Sequence, residues 1–145
     1  MNLSKNFTLY EATRSSKAIQ LGIDNSMKPA IYMQAEWFAK NVLQPIRDRI
    51  GKPFYMSSWY RCPALNKAVG GVYNSSHLDG MAIDFMIKGL SVKETWETVL
   101  VALKDLRIEF DQLIMERNTK TGVVWVHLSA KKSGNRNQFF KLDVE

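Results

Sequence analysis

The segment Ser75-Ser76-His77-Leu78-Asp79-Gly80-Met81-Ala82-Ile83-Asp84 joins a polar turn to a short apolar run that contains one aspartate. Residues 81–87 read as a β-strand, and Asp84 is their anomaly because an unpaired carboxylate is costly to bury. His127 is a second anomaly, since it lies inside the apolar run Val123-Val124-Trp125-Val126-His127-Leu128. His77 and His127 are the only histidines of the chain, so any histidine chemistry uses one or both of them.

Two histidines and one carboxylate are a common ligand set for catalytic zinc, with the fourth position left for water. In the alternative interpretation, Asp84 pairs with Arg61 or with a backbone donor, and the two histidines only pack. Spacing alone does not separate these interpretations, because it does not fix the third ligand in space.

The composition of the 145 residues indicates one globular domain, residues 1–145, with 46% hydrophobic and 23% charged residues. The net charge of +6 favours anionic partners such as nucleic acid, acidic lipid or a bacterial cell-wall polymer. The single cysteine, Cys62, excludes an internal disulfide and a Cys-rich zinc cluster. Residues 1–6 lack an apolar signal core, and no run of about 18 apolar residues follows, so we expect neither self-secretion nor membrane insertion.

Start and stop signals predict three helices. Capping boxes at Thr8 and Ser91 predict helices that end near residues 20 and 106. A longer helix is predicted from Pro29 to Gly51, with a kink at Pro45.

The remaining signals predict an α+β domain with helices packed on a small, largely antiparallel sheet. Strands are predicted at 54–60, 81–87, 108–116 and 123–129, and the last two form a hairpin around the turn-rich residues 118–122. Residues 62–80 are predicted to be mostly loop with one helical turn, and the basic tail is predicted to be loop-like, with Phe139, Phe140 and Leu142 docking back.

The motif Ser75-x-His77-x-x-Gly80-x-Ala82-x-Asp84, followed by Trp125-Val126-His127, resembles the zinc D-alanyl-D-alanine peptidases. That family includes D-Ala-D-Ala carboxypeptidases, vancomycin-resistance dipeptidases and phage L-alanyl-D-glutamate endolysins. The similarity runs in order from roughly Phe7 to Ser129 and includes Leu43-Gln44-Pro45-Ile46-Arg47, Ser57-Ser58-Trp59-Tyr60-Arg61 and Asn66-Lys67-Ala68-Val69-Gly70-Gly71. The resemblance implies a hedgehog/DD-peptidase-like fold.

The resemblance also implies roles for individual residues. It makes His77, Asp84 and His127 the ligands of one Zn²⁺ per chain. Arg61 matches the arginine that holds a substrate carboxylate or carbonyl, a role that suits a permanently charged guanidinium fork, and the alternative is a surface arginine. Ser75 matches a serine that bonds substrate or orients the first histidine, and the alternative is a plain turn serine.

One position departs from the family pattern. Relatives often carry a catalytic acid three residues before the last histidine, where this chain has Val124. Glu116 is the predicted replacement as general base, because a hairpin that pairs Glu116 with Trp125 turns its carboxylate to the face of His127. A slip of one residue would turn it away. Asp79 and Asp111 are weaker candidates.

Four aromatic residues could either line a substrate groove or pack in the core: Trp59, Tyr60, Tyr73 and Trp125. Cys62 is interpreted as a packing residue, since no further histidine is free to activate it as a nucleophile.

These features together predict a zinc metallopeptidase that hydrolyses peptidoglycan stem peptides, either as a D-Ala-D-Ala carboxypeptidase or as a phage-type endopeptidase. We expect a monomer with peptidoglycan or muropeptide as partner, made in the cytoplasm and acting on the wall after phage-type release, or carried by the virion. The first alternative is a zinc-containing, non-catalytic wall-binding or phage tail module, which Val124 keeps open. The second, a nucleic-acid binder, is suggested only by charge, and the Lys and Arg residues are scattered.

Overall fold

The computed structural model describes residues 1–144, and its elements confirm the α+β class. The strands are β1 (Asn2–Ser4), β2 (Phe7–Thr8), β3 (Phe54–Ser58), β4 (Ala82–Ile87), β5 (Gln112–Asn118), β6 (Val124–Ser129) and β7 (Gln138–Val144). The α-helices are α1 (Leu9–Thr13), α2 (Ser16–Leu21), α3 (Pro29–Phe38), α4 (Gln44–Ile50), α5 (Pro63–Ala68) and α6 (Val92–Asp105). No helix among the described residues is long and apolar enough to cross a membrane.

Both predicted capping boxes are present, but the first helix is divided. The Thr8 side chain accepts from the backbone N–H of Glu11, and α1 then ends at Thr13, because the backbone of Arg14 is extended. Ser15 begins α2 by accepting from the backbone N–H of Ala18. The predicted single helix is therefore wrong, because a second N-cap serine stops the first helix and starts another.

The disruption predicted at Pro45 takes the form of a π-helical segment, Ala39–Leu43, between α3 and α4. Pro45 then lies in the first turn of α4, directly after the π-helical segment. The left-handed Gly51 ends α4.

The main sheet has the order β3-β4-β6-β5-β7, and the small β1-β2 sheet was not predicted. All neighbouring pairs in the main sheet are antiparallel except β5 and β7, which are parallel. The predicted hairpin is confirmed, although β5 begins at Gln112 instead of residue 108.

Two segments predicted as loops are partly regular. Residues 62–80 contain α5 and a short 3-10 helix, Ser76–Asp79. The tail forms β7, which carries no alternating buried pattern and is held by backbone pairing with β5. The predicted docking of Phe139 is present as packing of its ring on Trp96, with 6.1 Å between centroids.

Side chains alternate between the two faces of the main sheet. One face packs with the helices in the core, as Phe85 and Val126 do. The opposite face carries Asp84 on β4 and His127 on β6, which are direct cross-strand partners. The fold thus places Asp84 and His127, the polar residues that interrupt two apolar strands, side by side.

Candidate functional site

His77, Asp84 and His127 form one compact cluster, in which their donor atoms lie within 4.8 Å of one another. Asp84 Oδ1 is 3.3 Å from His77 Nε2 and 3.0 Å from His127 Nδ1. Pairing of β4 with β6 brings Asp84 beside His127. His77 lies in the 3-10 helix, which places its ring next to Asp84. These three residues can hold a metal ion.

The ring of His77 is oriented by the backbone. Its Nδ1 lies 2.6 Å from the carbonyl oxygen of Trp59, and because a carbonyl only accepts, Nδ1 carries the proton. Nε2 is left as a lone-pair donor, buried and without a hydrogen-bond partner among the described residues. A metal-binding histidine normally shows this arrangement, in which the outer nitrogen is tied and the inner one is free.

The protonation states also suit a cation. Burial lowers the pKa of His77, although the charge of Asp84 opposes this. Burial raises the pKa of Asp84, but the proximity of His77 and the hydrogen bond with His127 outweigh it and hold that pKa well below its usual range. A neutral imidazole beside an ionised carboxylate is the form that binds a divalent ion.

Gly80 forms the left-handed turn between His77 and Asp84 and packs closely against helix α3. Its φ of +71° is left-handed, and a Cβ at this position would lie 3.2 Å from the Cβ of Ala35. The buried indole of Trp59 donates to the carbonyl of Gly80 at 2.8 Å. Trp59 is therefore a core residue that supports the site, and it does not line a groove.

Arg61 lies beside the cluster and is partly buried. Its backbone N–H donates to the carbonyl of His77 at 3.1 Å, and its Nε is buried without a partner in the described chain. A Cβ at Gly71 would collide with the Asn66 side chain and come within 2.9 Å of Arg61 Nη1, so glycine leaves room for both side chains where they now lie. Burial lowers the pKa of Arg61, while the nearby Asp84 and Glu116 carboxylates oppose that change.

Glu116 has the predicted register, directly opposite Trp125. Burial raises the pKa of Glu116, the negative charge of Asp84 adds to this effect, and the positive charges of His127 and Arg61 oppose it. The ladder from Arg117–Val124 to Gln112–Ser129 is regular, so Val124 points to the face opposite His127. Glu116 is thus the carboxylate on the cluster's face of the hairpin.

The other predicted residues have different surroundings. The side-chain oxygen of Ser75 accepts from the backbone N–H of His77 at 3.2 Å. Asp111 is buried and accepts two hydrogen bonds from the Arg136 guanidinium, so it is a structural ion pair. Asp79 is exposed at the end of the 3-10 helix, and the Tyr73 side chain is 91% exposed.

A groove of about 350 Å³ adjoins the cluster. Asp84, Trp125, Ser57, Tyr60 and Arg61 are among the residues that line it. Arg14 and Lys17, at the α1–α2 break, line the same groove. Sequence reasoning missed these two residues, since nothing local distinguishes them from other surface cations.

A family model described as Peptidase M15 matches residues 5–121, which include His77, Asp84, Arg61 and Glu116. The match ends before β6 and His127. No curated protein matches the chain.

Proposed function

Because the chain belongs to the peptidase M15 family, we propose that it is a zinc-dependent peptidase that hydrolyses peptidoglycan stem peptides. The observation that carries this proposal is the free, buried Nε2 of His77, which faces Asp84 within 4.8 Å of the His127 donor atom. One zinc ion per chain, held by these three residues, would lower the pKa of a water molecule and polarise the scissile carbonyl.

Glu116 acts as the general base in this proposal. Its carboxylate takes a proton from the attacking water and returns it to the departing amine. The raised pKa of Glu116 supports the role, because a base works best when its pKa approaches the working pH. Glu116 is half-buried and lies on the same face of the sheet as His127, which also supports this role.

Arg61 binds the substrate. Its guanidinium has a buried, unpaired Nε and stays charged, so a carboxylate or carbonyl oxygen of the peptide satisfies it. Ser75 orients His77 through the backbone, which supports a positioning role for this residue.

The same residues serve a D-Ala-D-Ala carboxypeptidase and a phage-type endopeptidase, and the proposal includes both. It places the protein at the bacterial cell wall, as a monomer, after phage-type release or on a virion. The net charge of +6 supports an anionic wall polymer as partner.

A second candidate function, a zinc-containing wall-binding module without turnover, is favoured by one observation. Val124 stands where relatives often carry an acid, and it points away from His127. Such a module would hold a stem peptide through Arg61 without cleaving it.

The test combines metal analysis with digestion of purified muropeptides, followed by mass spectrometry of the products. About one zinc per chain together with new peptide fragments is the expected result. The Asp84→Asn variant should lose both, whereas Asp105→Asn, an exposed aspartate paired with Arg49, serves as the matched control. Zinc without any hydrolysis would favour the binding module, and absence of zinc would overturn the metal site.

A further inference from the structure

We propose that the groove contains a second carboxylate-binding subsite, formed by Arg14 with Lys17, and that the substrate is a peptide with an additional acidic group near the scissile bond. This inference rests on the proposed function and specifies its substrate class. Its basis is the shared groove, in which Arg14, Lys17 and Arg61 lie along one surface with Asp84.

The charge of the groove is unbalanced. Among the described residues that line it, Asp84 is the only acid, and both histidines already engage its carboxylate. Neither Arg14 nor Lys17 forms an ion pair within residues 1–144. The unpaired cations therefore face a cavity from which an anionic group can approach.

Arg14 is positioned more firmly than an ordinary surface arginine. It lies at the break between α1 and α2, and its Nη2 donates to the carbonyl of Met56 on β3 at 3.3 Å. This contact uses one N–H and leaves the rest of the guanidinium for a carboxylate, which it can bind in the bidentate manner.

A buried asparagine ties the Arg14 segment to the Arg61 segment. The side-chain amide of Asn25 donates to the carbonyls of Thr13 and Tyr60, and its oxygen accepts from the backbone N–H of Cys62. Thr13 precedes Arg14, while Tyr60 and Cys62 flank Arg61. The backbone segments that carry the two arginines are thus tied together before substrate arrives, which reduces the ordering cost of binding.

Two cationic positions in one groove suit a ligand with two anionic groups. Arg61 takes the group nearest the reacting bond, and Arg14 with Lys17 takes the other. In a stem peptide the second carboxylate has two sources, the free α-carboxyl of γ-linked D-glutamate and the side-chain carboxyl of diaminopimelate. Amidated peptides with lysine in place of diaminopimelate lack both.

Four synthetic stem pentapeptides distinguish these sources: glutamate or its α-amide, each combined with diaminopimelate or lysine. We measure kcat/KM for each peptide with zinc-loaded protein, and we titrate the same peptides into Glu116→Gln by calorimetry. One of the two carboxylates should improve kcat/KM by about fivefold, mainly through KM, as expected for a pair at a partly exposed site. In Arg14→Gln this preference should fall to near unity, and Arg14→Lys should restore part of it.

Lys52→Gln is the matched control, because it removes one positive charge just before β3, at the end away from Ser57 and Ser58. Thermal melting checks that every variant folds. Equal kcat/KM and equal affinity for all four peptides would overturn the second subsite, and so would a preference that persists in the Arg14→Gln, Lys17→Gln double variant. Cleavage without any charge preference would support the proposed function and overturn the second subsite. Binding with the charge preference but without cleavage would support the second subsite and overturn the proposed function.

Discussion

Glu116 on β5 and Trp125 on β6 are direct cross-strand partners, and on its other side Glu116 is paired with Leu142 of β7. The carboxylate therefore stands in a row between an indole and a leucine, on the sheet face that also carries His127. This row explains why burial raises the pKa of Glu116 while the nearby cations oppose it.

The first prediction concerns the metal. His127→Ala should reduce zinc content well below one per chain, because it removes one of the three residues that could hold the ion. Zinc bound only to the folded state should raise Tm, and a chelator should lower it. Elemental analysis and thermal melting check both effects. Unchanged zinc content in His127→Ala would contradict the ligand set.

The second prediction concerns the base. Glu116→Gln keeps size and shape but cannot accept a proton, so turnover should fall by about 10²–10⁴-fold while zinc content stays unchanged. Glu97→Gln, on the exposed surface of α6, is the matched control. If Asp79→Asn abolishes turnover and Glu116→Gln does not, the loop acid is the base instead.

The third prediction is a pH dependence. Glu116 must be ionised to accept a proton, and its pKa is raised, so activity should disappear on acidification at a higher pH than for an ordinary glutamate. Leu142→Ser should reduce the burial of the carboxylate and move the acidic limb of kcat/KM to lower pH. A limb that stays in place in Leu142→Ser and in Glu116→Asp would assign it to another group.

The fourth prediction concerns the substrate anchor. Arg61→Ala should weaken transition-state binding by about 2–5 kcal/mol, the usual cost of losing one partner of a desolvated charge pair. Zinc content should stay near one per chain, since Arg61 is not in the ligand set. Steady-state kinetics on a stem peptide provide the measurement, and values within twofold of the unmodified protein would rule out the anchor role.

The fifth prediction concerns stability. Asn25 is 7% exposed and makes three hydrogen bonds that join two segments of chain. Asn25→Ala should lower the free energy of unfolding by about 2–3 kcal/mol, because buried backbone groups lose their partners. Asn41→Ala, an exposed residue that bonds only to the carbonyl of Trp37, should change it far less. Urea unfolding measures both, and equal effects would show that Asn25 does not hold the segments together.

Local signals in the sequence were sufficient for much of the fold. Both capping boxes act within four residues, and the β5–β6 hairpin follows from alternation and a turn, so these elements could be predicted. The family could be predicted because its motif is a short pattern of residues, and the match to the Peptidase M15 family model confirms it. The tail was predicted wrongly as a loop, since β7 depends on a distant parallel partner and leaves no periodic signal of its own.

The sequence by itself determined which histidines a His–Asp–His cluster could contain, because His77 and His127 are the only two in the chain. Tertiary structure alone decided that Trp59 orients His77 through its carbonyl, and that Asn25 ties the segment of Arg14 to that of Arg61. The physical reason is range: side-chain chemistry is a property of each residue, whereas a hydrogen bond between residues 18 or 35 positions apart exists only after the chain has folded.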